Sequence, residues 1–375
     1  MINSPQEQRL RKIFSLMNDE NLDALLVSCP ENRFYLSGFY AEDVSINESA
    51  GVLFISPDFL VLLTDSRYVE AARLEASLFK TMQYNAENTL ESIVSKLCAE
   101  RQVKQLGVEA EFLSAAKYIA IEETLRKEGI PASLVLVKQL VEKVRAVKEE
   151  LELSSIRKSL HLSEQVMEEV YGLLKPGLTE KEVAWFIEKR LRELGAESVS
   201  FPPIVAGGAR AALPHACPED RPLQEGEPIV IDMGAKLDHY CSDITRTVFL
   251  GYIPDKWMRI YEVVMEAQRR AQSAAKPGMR GEDLDAVARS FIEQSGYGDY
   301  FQHGLGHGVG LAIHELPSIR VRGKIELEPG MVFTVEPGIY LPGEGGIRLE
   351  NMVVMREDGV EVLNRLPVEP PPVIR

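Results

Sequence analysis

The sequence is short of cysteine, of long apolar runs and of clustered positive charge. Four cysteines, Cys29, Cys98, Cys217 and Cys241, are spread over 375 residues and form no C-x-x-C pair. That spacing argues against a disulfide framework or a structural zinc site and leaves reduced, partly buried thiols as the expectation. No apolar run reaches the roughly 18 residues that a membrane span needs. The first residues, MINSPQEQRLRKIF, lack the apolar core of a signal peptide, so a cytoplasmic protein with no membrane partner is expected. The net charge of −15 argues against nucleic acid as a partner, because phosphate binding needs clustered Lys and Arg.

What is present is the length and composition of a globular protein with about two domains, at 45 % hydrophobic and 26 % charged residues. Residues 1–140 alternate strand and helix signals. LDALLVS (22–28) reads as a strand. AGVLFIS (50–56) and FLVLLT (59–64) read as two strands of a hairpin turning at Pro57 and Asp58, and residues 66–78 have helical periodicity. The charged stretch 141–174 reads as a linker and first helix with a solvated face, opening a second domain over 141–375.

The second domain echoes itself. KPGLTEKEVAWFIEKRLRELG (175–195) and KPGMRGEDLDAVARSFIEQSG (276–296) both open on Lys-Pro-Gly, continue as a helix and end in a glycine at the same offset. Each is followed by an apolar strand that runs into an acid, in PIVIDMG (228–234) and in GMVFTVEPG (330–338). A duplicated unit whose halves each deliver an acid to a shared central site is the expectation.

Four acids stand out. If the hairpin PIVIDMGAKLDHYCSD turns between Leu237 and Asp238, Asp232 and Asp243 lie directly opposite, where Cβ atoms are about 4.5–5.5 Å apart. A second hairpin centred on Gly343 sets Glu336 opposite Glu350. Like-charged carboxylates held that close need a proton or a cation between them, and two such pairs favour cations. Two divalent ions would neutralise four acids.

Three of the six histidines fall in HGLGHGVGLAIHE (303–315). Alternating glycines there argue against a helix and for an extended segment with one bare face. His303 and His307 would share one face, and a bulge is needed to bring His314 to the same site. The spacing also fails the dinucleotide fingerprint G-x-G-x-x-G. His161 reads as an exposed helix residue, His239 as structural, and His215 lies on a loop between Pro214 and Pro218.

The order Asp232 in IDMG, Asp243 in YCSDITRT, His307 in GHGVG, Glu336 in VEPG and Glu350 in RLEN resembles the pita-bread metallopeptidases, in the branch of aminopeptidase P and prolidase. NRFYLSGF and TDSRY look like the creatinase-type N-domain of that branch, so the resemblance spans essentially the whole chain. It implies an α/β N-terminal creatinase-like domain and an α+β pita-bread catalytic domain with pseudo-twofold internal duplication. It implies that Asp232, Asp243, His307, Glu336 and Glu350 bind two divalent ions, with Asp243 and Glu350 bridging both and a water between them. So hard a ligand set suits manganese, with cobalt or zinc as alternatives.

By the same resemblance Glu336 is the general base, His215 and His314 stabilise the intermediate, and His303, Tyr340 and Arg348 line the substrate cleft. The activity implied is hydrolysis of the bond between an N-terminal residue and proline, by a homodimer or larger assembly. HELP is followed by Ser318, with Arg320 two residues on, whereas some prolidases place Arg directly after the motif. That departure favours an Xaa-Pro aminopeptidase over the alternative, an Xaa-Pro dipeptidase. A metal-free enzyme on the same fold and a non-catalytic binding module are the remaining alternatives, and the full ligand set weighs against both.

Overall fold

The computed structural model describes residues 4–43, 45 and 48–374. The chain divides into two compact units, Met1–Arg145 and Ala146–Arg375. In the first, six strands form one sheet among the described residues. Their order is Lys80–Gln83, Phe59–Thr64, Val52–Ser56, Ala24–Val27, Gln105–Glu109, Ser133–Val137. The run ALLV is buried at all four positions, as a central strand covered on both faces requires. Its neighbour Val52–Ser56 makes the expected hairpin with Phe59–Thr64, pairing Ser56 with Phe59. The core of this unit gathers Leu26, Phe54, Leu63, Val94, Leu106 and Ile121 between sheet and helices.

The second unit shows the duplication. The helices Glu150–Leu173 and Glu180–Glu193 pair in the first half, and Asp255–Ala274 and Gly281–Gln294 pair in the second. Gly195 and Gly296 each follow the second helix of their pair in the left-handed region, at φ 105° and 86°, the conformation that ends a helix with least strain in glycine. Each half then supplies a sheet. One runs Val373–Ile374, Ile244–Leu250, Ile229–Met233, Ile204–Gly207; the other runs Glu315–Ile319, Gly306–Gly308, Val332–Val335, Asn351–Arg356, Gly359–Val362. The apolar faces of Asp255–Ala274 and Gly281–Gln294 close on Phe333, Val335, Ile347, Leu349 and Val353.

Two expectations need correction. The charged stretch 141–174 holds a linker and a first helix, but its charges are not solvated throughout. It breaks between Leu140–Ala146 and Glu150–Leu173, where Val147 bridges to Met331 and Lys148 N–H donates to Gly330 O at 3.0 Å. Arg145, Lys148, Glu152 and Glu164 are buried, because tertiary partners meet their charges. Glu164, for instance, accepts from the backbone N–H groups of Arg365 and Leu366.

The first hairpin also turns one residue later than expected. Asp238 and His239 both adopt positive φ, 50° and 68°, the signature of a tight two-residue hairpin turn. Leu237 therefore pairs with Tyr240, Asp232 faces Thr245, and Asp243 lies across from Gly234. Asp232 and Asp243 share one face as diagonal neighbours rather than direct partners. His239 is held at this turn by Glu197, 3.2 Å from Nδ1. In the other hairpin the expected register holds. Val335 pairs with Asn351 and Gly338 with Arg348, which sets Glu336 across from Glu350.

Gly234 makes the first hairpin possible, since a Cβ there would lie 1.9 Å from Ser242 O. Gly234→Ala is expected to lower stability by about 1–3 kcal/mol or more, as overpacking against fixed backbone does. Urea unfolding checks this, and an unchanged midpoint would mean that the hairpin yields at no cost.

Candidate metal centre

Strand ends bring the five expected ligand residues of the second unit together. Asp232 comes from Ile229–Met233, and Asp243 precedes Ile244–Leu250. His307 sits in the short strand Gly306–Gly308, and Glu336 and Glu350 flank the Gly338–Leu341/Gly345–Arg348 hairpin. One ligand atom each from Asp243, His307 and Glu350 lies within 4.8 Å of the other two. His307 Nε2 is 3.6 Å from Asp243 Oδ2 and 3.3 Å from Glu336 Oε1.

Asp232, Asp243 and Glu350 are buried, Glu336 is half-buried, and three of the acids' oxygens have no protein partner: Asp232 Oδ1, Asp243 Oδ1 and Glu350 Oε1. Orphaned carboxylate oxygens inside a protein are costly. Here they converge beside an imidazole, the arrangement that a cation would satisfy. The donor set therefore fits divalent metal. His307 fits too: its Nδ1 lies 3.1 Å from Gly308 O and donates there, leaving Nε2 to face the acids.

Charge repulsion is written into the acidities. Burial, then Arg348 in opposition and Glu336 in support, leaves Asp232 above the usual carboxylate range. Burial together with Glu350, Asp232 and Glu336 raises Asp243 well above it. Burial with Glu336 and Asp232 pushes Glu350 up to about 8. Glu336 goes the other way. Burial opposes its charge, but the hydrogen bond and charge of His307 hold it at about 2. His307 rises in turn to about 9, against its burial.

Around these acids stands a belt of fixed donors. Arg348 Nη2 donates to Asp232 Oδ2 at 2.6 Å, Nη1 to Pro214 O and the Tyr340 hydroxyl, and Nε to Thr245 Oγ1. Thr245 donates to Glu350 Oε2 at 2.7 Å, and Thr334 to Glu336 Oε1 at 3.0 Å. Arg246, fully buried, donates to the carbonyls of Thr245 and Glu350. Thr245, Thr334 and Arg246 have no signal in the sequence beyond their place beside the acids. The Arg348 guanidinium, expected to line the cleft, is held by Asp232, Thr245, Tyr340 and Pro214 O, and so steadies Asp232.

The remaining histidines surround this cluster. His303 Nδ1 donates to Gly304 O, so its Nε2 accepts from the Tyr340 hydroxyl at 2.9 Å. Burial lowers its pKa and keeps it neutral. The strand bulges between His307 and Gly308, as the sharing of one site demands, and the His307 and His314 rings stand 4.4 Å apart. Burial, then the charge of His307, lowers the His314 pKa. His215 is exposed on its loop beside Pro214, close enough for its charge to be felt at both His303 and His314. His161 is exposed on its helix.

A two-unit α/β chain with buried acids and a histidine gathered at duplicated strand ends defines a metallopeptidase architecture. The pattern of Metallopeptidase family M24 matches residues 154–357, and that of the Creatinase/Prolidase N-terminal domain matches residues 9–147. The chain belongs to metallopeptidase family M24 and is a peptidase. It is 34 % identical to an Xaa-Pro dipeptidase of Pyrococcus furiosus, over 96 % of this chain and 98 % of that one. Its fold matches an Xaa-Pro dipeptidase from Bacillus anthracis with TM-score 0.91 and 35 % identity, covering 98 % and 99 % of the two chains. It also matches an X-Pro aminopeptidase from Thermotoga maritima with TM-score 0.86 and 36 % identity, covering 97 % and 99 %. Among the described residues no helix is long and apolar enough to cross a membrane.

Two outcomes follow from the acidities. Glu350, raised to about 8, and His307, raised to about 9, hold protons near pH 7 in metal-free protein. Metal binding at pH 7 is therefore expected to release protons, read by calorimetry in buffers of different ionisation enthalpy. A group whose folded pKa is raised contributes stability fully below its unfolded pKa and loses it as pH climbs through the folded value. For Glu350 that window runs from 4.5 to about 8, and His307 extends it from 6.5 to about 9. Metal-free protein should lose stability from pH 5 to pH 8, by up to about 1.4 kcal/mol per pH unit for each group, and added divalent ion should remove the fall. A flat urea-unfolding profile would contradict the clustered charges.

Proposed function

We propose that this peptidase cleaves the bond between an N-terminal residue and proline, and that Xaa-Pro dipeptides are its preferred substrates. The observation that carries the reading is the set of unpartnered buried oxygens of Asp232, Asp243 and Glu350, with Asp243 and Glu350 clustered on His307. Substrate length rests on the relatives. Ser318 after HELP favours longer peptides, but the Pyrococcus furiosus and Bacillus anthracis proteins are named Xaa-Pro dipeptidases, and they weigh more across nearly the full chain.

In this reading Asp232, Asp243, His307, Glu336 and Glu350 hold two divalent ions, manganese by the hardness of the set. Bound ions would lower the pKa of a water and polarise the scissile carbonyl. Glu336 stays ionised beside His307 and accepts the proton of the attacking water. His314 is neutral at physiological pH and, with His215, donates to the developing oxyanion, where pre-placed donors contribute most. Arg348 holds Asp232 and Tyr340 in place, and Tyr340 in turn orients His303. In the same reading the protein works in the cytoplasm, on peptides with proline second.

Xaa-Pro and Xaa-Pro-Yaa-Yaa offered with manganese decide the length preference. Faster turnover of the dipeptide is expected, and cleavage of the longer peptide alone overturns it. Asp243→Ala and Glu350→Ala should lose both bound metal and activity. His314→Ala should keep its metal and lose about 10²–10³ in kcat, the scale of one oxyanion donor. Loss of metal from His314→Ala would show that it is a ligand.

A further inference from the structure

The break in the charged stretch contains a lysine that reaches no solvent. The Lys148 side chain is 1 % exposed, and its Nζ lies 2.7 Å from Glu315 Oε1, itself 5 % exposed. Its backbone is fastened to the turn that opens strand Val332–Val335, through Val147–Met331 and Gly330 O. Nζ also donates to Ala146 O at 3.2 Å.

Glu315 follows His314 directly and forms the inner support of the loop that carries it. After the bulge, Gly308 pairs with Glu315, so residues 309–314 project as a compact loop. The Glu315 carboxylate lies against that loop's backbone. Its Oε2 accepts from Ala312 N–H at 3.3 Å, and a Cβ on Gly310 would come within 2.3 Å of Oε1. Other ties hold the loop as well: Cys241 N–H to Gly310 O at 2.7 Å, Gly310 N–H to Ala312 O at 3.1 Å, Val309 N–H to Val332 O at 3.3 Å and Cys241 Sγ to Leu311 O at 3.7 Å.

We propose that Lys148 is a positioning residue of the peptidase site: its ammonium neutralises and pins Glu315, and Glu315 fixes the loop that holds His314 against His307. A buried carboxylate that loses an ammonium partner takes up a proton or draws in water more readily. Either change frees the loop, and a displacement of about 1 Å at a catalytic group can cost up to about a hundredfold in rate.

The kinetic arm of the test rests on the peptidase reading above, while the spectral arm does not. In metal-free, ¹⁵N-histidine-labelled protein, the His314 imidazole signal is identified by its absence from His314→Ala. Lys148→Met is expected to shift or broaden that signal and leave His161 unmoved. With manganese and Ala-Pro, Lys148→Met should lower kcat about tenfold or more while KM changes less than about threefold. In a His314→Ala background the same substitution should cost nothing further, because its effect passes through His314. Glu315→Gln, which keeps the side chain's shape, should reproduce both results, and it carries the test if Lys148→Met fails to fold. An unmoved His314 signal, or losses from Lys148→Met and His314→Ala that simply multiply, overturns the proposal. If the wild-type protein cleaves no Xaa-Pro peptide, the peptidase reading fails while the histidine spectra still decide the role of Lys148.

Discussion

Mutual repulsion among buried carboxylates is the constraint on which the catalytic unit is organised. Asp232, Asp243, Glu336 and Glu350 are driven together from two hairpins, out of water, with a single imidazole among them. Nothing in apolar packing favours such a cluster. It persists because the chain around it is over-determined and because each acid is met by something: Asp232 by Arg348, Glu336 by His307 and Thr334, Glu350 by Thr245, and Asp243, among the described residues, by His307 alone at 3.6 Å. Asp243 has the least protein support and the most negative neighbours. It is accordingly the acid with most to gain from a cation.

The scaffolding around the acids is polar as well as apolar. Arg246 lies fully buried and spends its donors on backbone carbonyls, including that of Glu350, so the strand carrying the acid cannot drift. Ser159, Ser163 and Ser200 bind the backbone and hydroxyl of the segments at Ala235 and Ser242, filling the irregular turn that separates Asp232 from Asp243. The serine network is satisfied, and such networks specify geometry more sharply than apolar contacts do. Lys148 and Glu315 belong to the same design, applied to the loop of His314 instead of to a ligand.

Much of the fold was legible in the sequence wherever periodicity is strong. The strands Ala24–Val27, Val52–Ser56 and Phe59–Thr64 follow their apolar runs, and the duplicated helices follow the repeated Lys-Pro-Gly and terminal glycine. The acids, too, were visible, because a carboxylate directly after a buried apolar run is chemically out of place. The turn of the first hairpin was misplaced by one residue. Local composition around Leu237-Asp238-His239 fits either centring, and the choice lies with two left-handed residues and with the fit of Gly234 against Ser242 O. The charged stretch departs from its expected solvation for a related reason: a run of charges looks solvated when its partners lie far along the chain.

By itself the sequence determined that there are two units, that one is internally duplicated, and which acids and histidine could act together, since these follow from residue type and spacing. Tertiary structure alone decided which charges are buried and what each one faces. Arg348 turns inward to Asp232, His314 reaches His307 through a bulge, and Lys148 finds Glu315 across more than 160 residues of chain. The physical reason is that burial and pairing set the state of a charge. Both depend on contacts between residues distant in sequence.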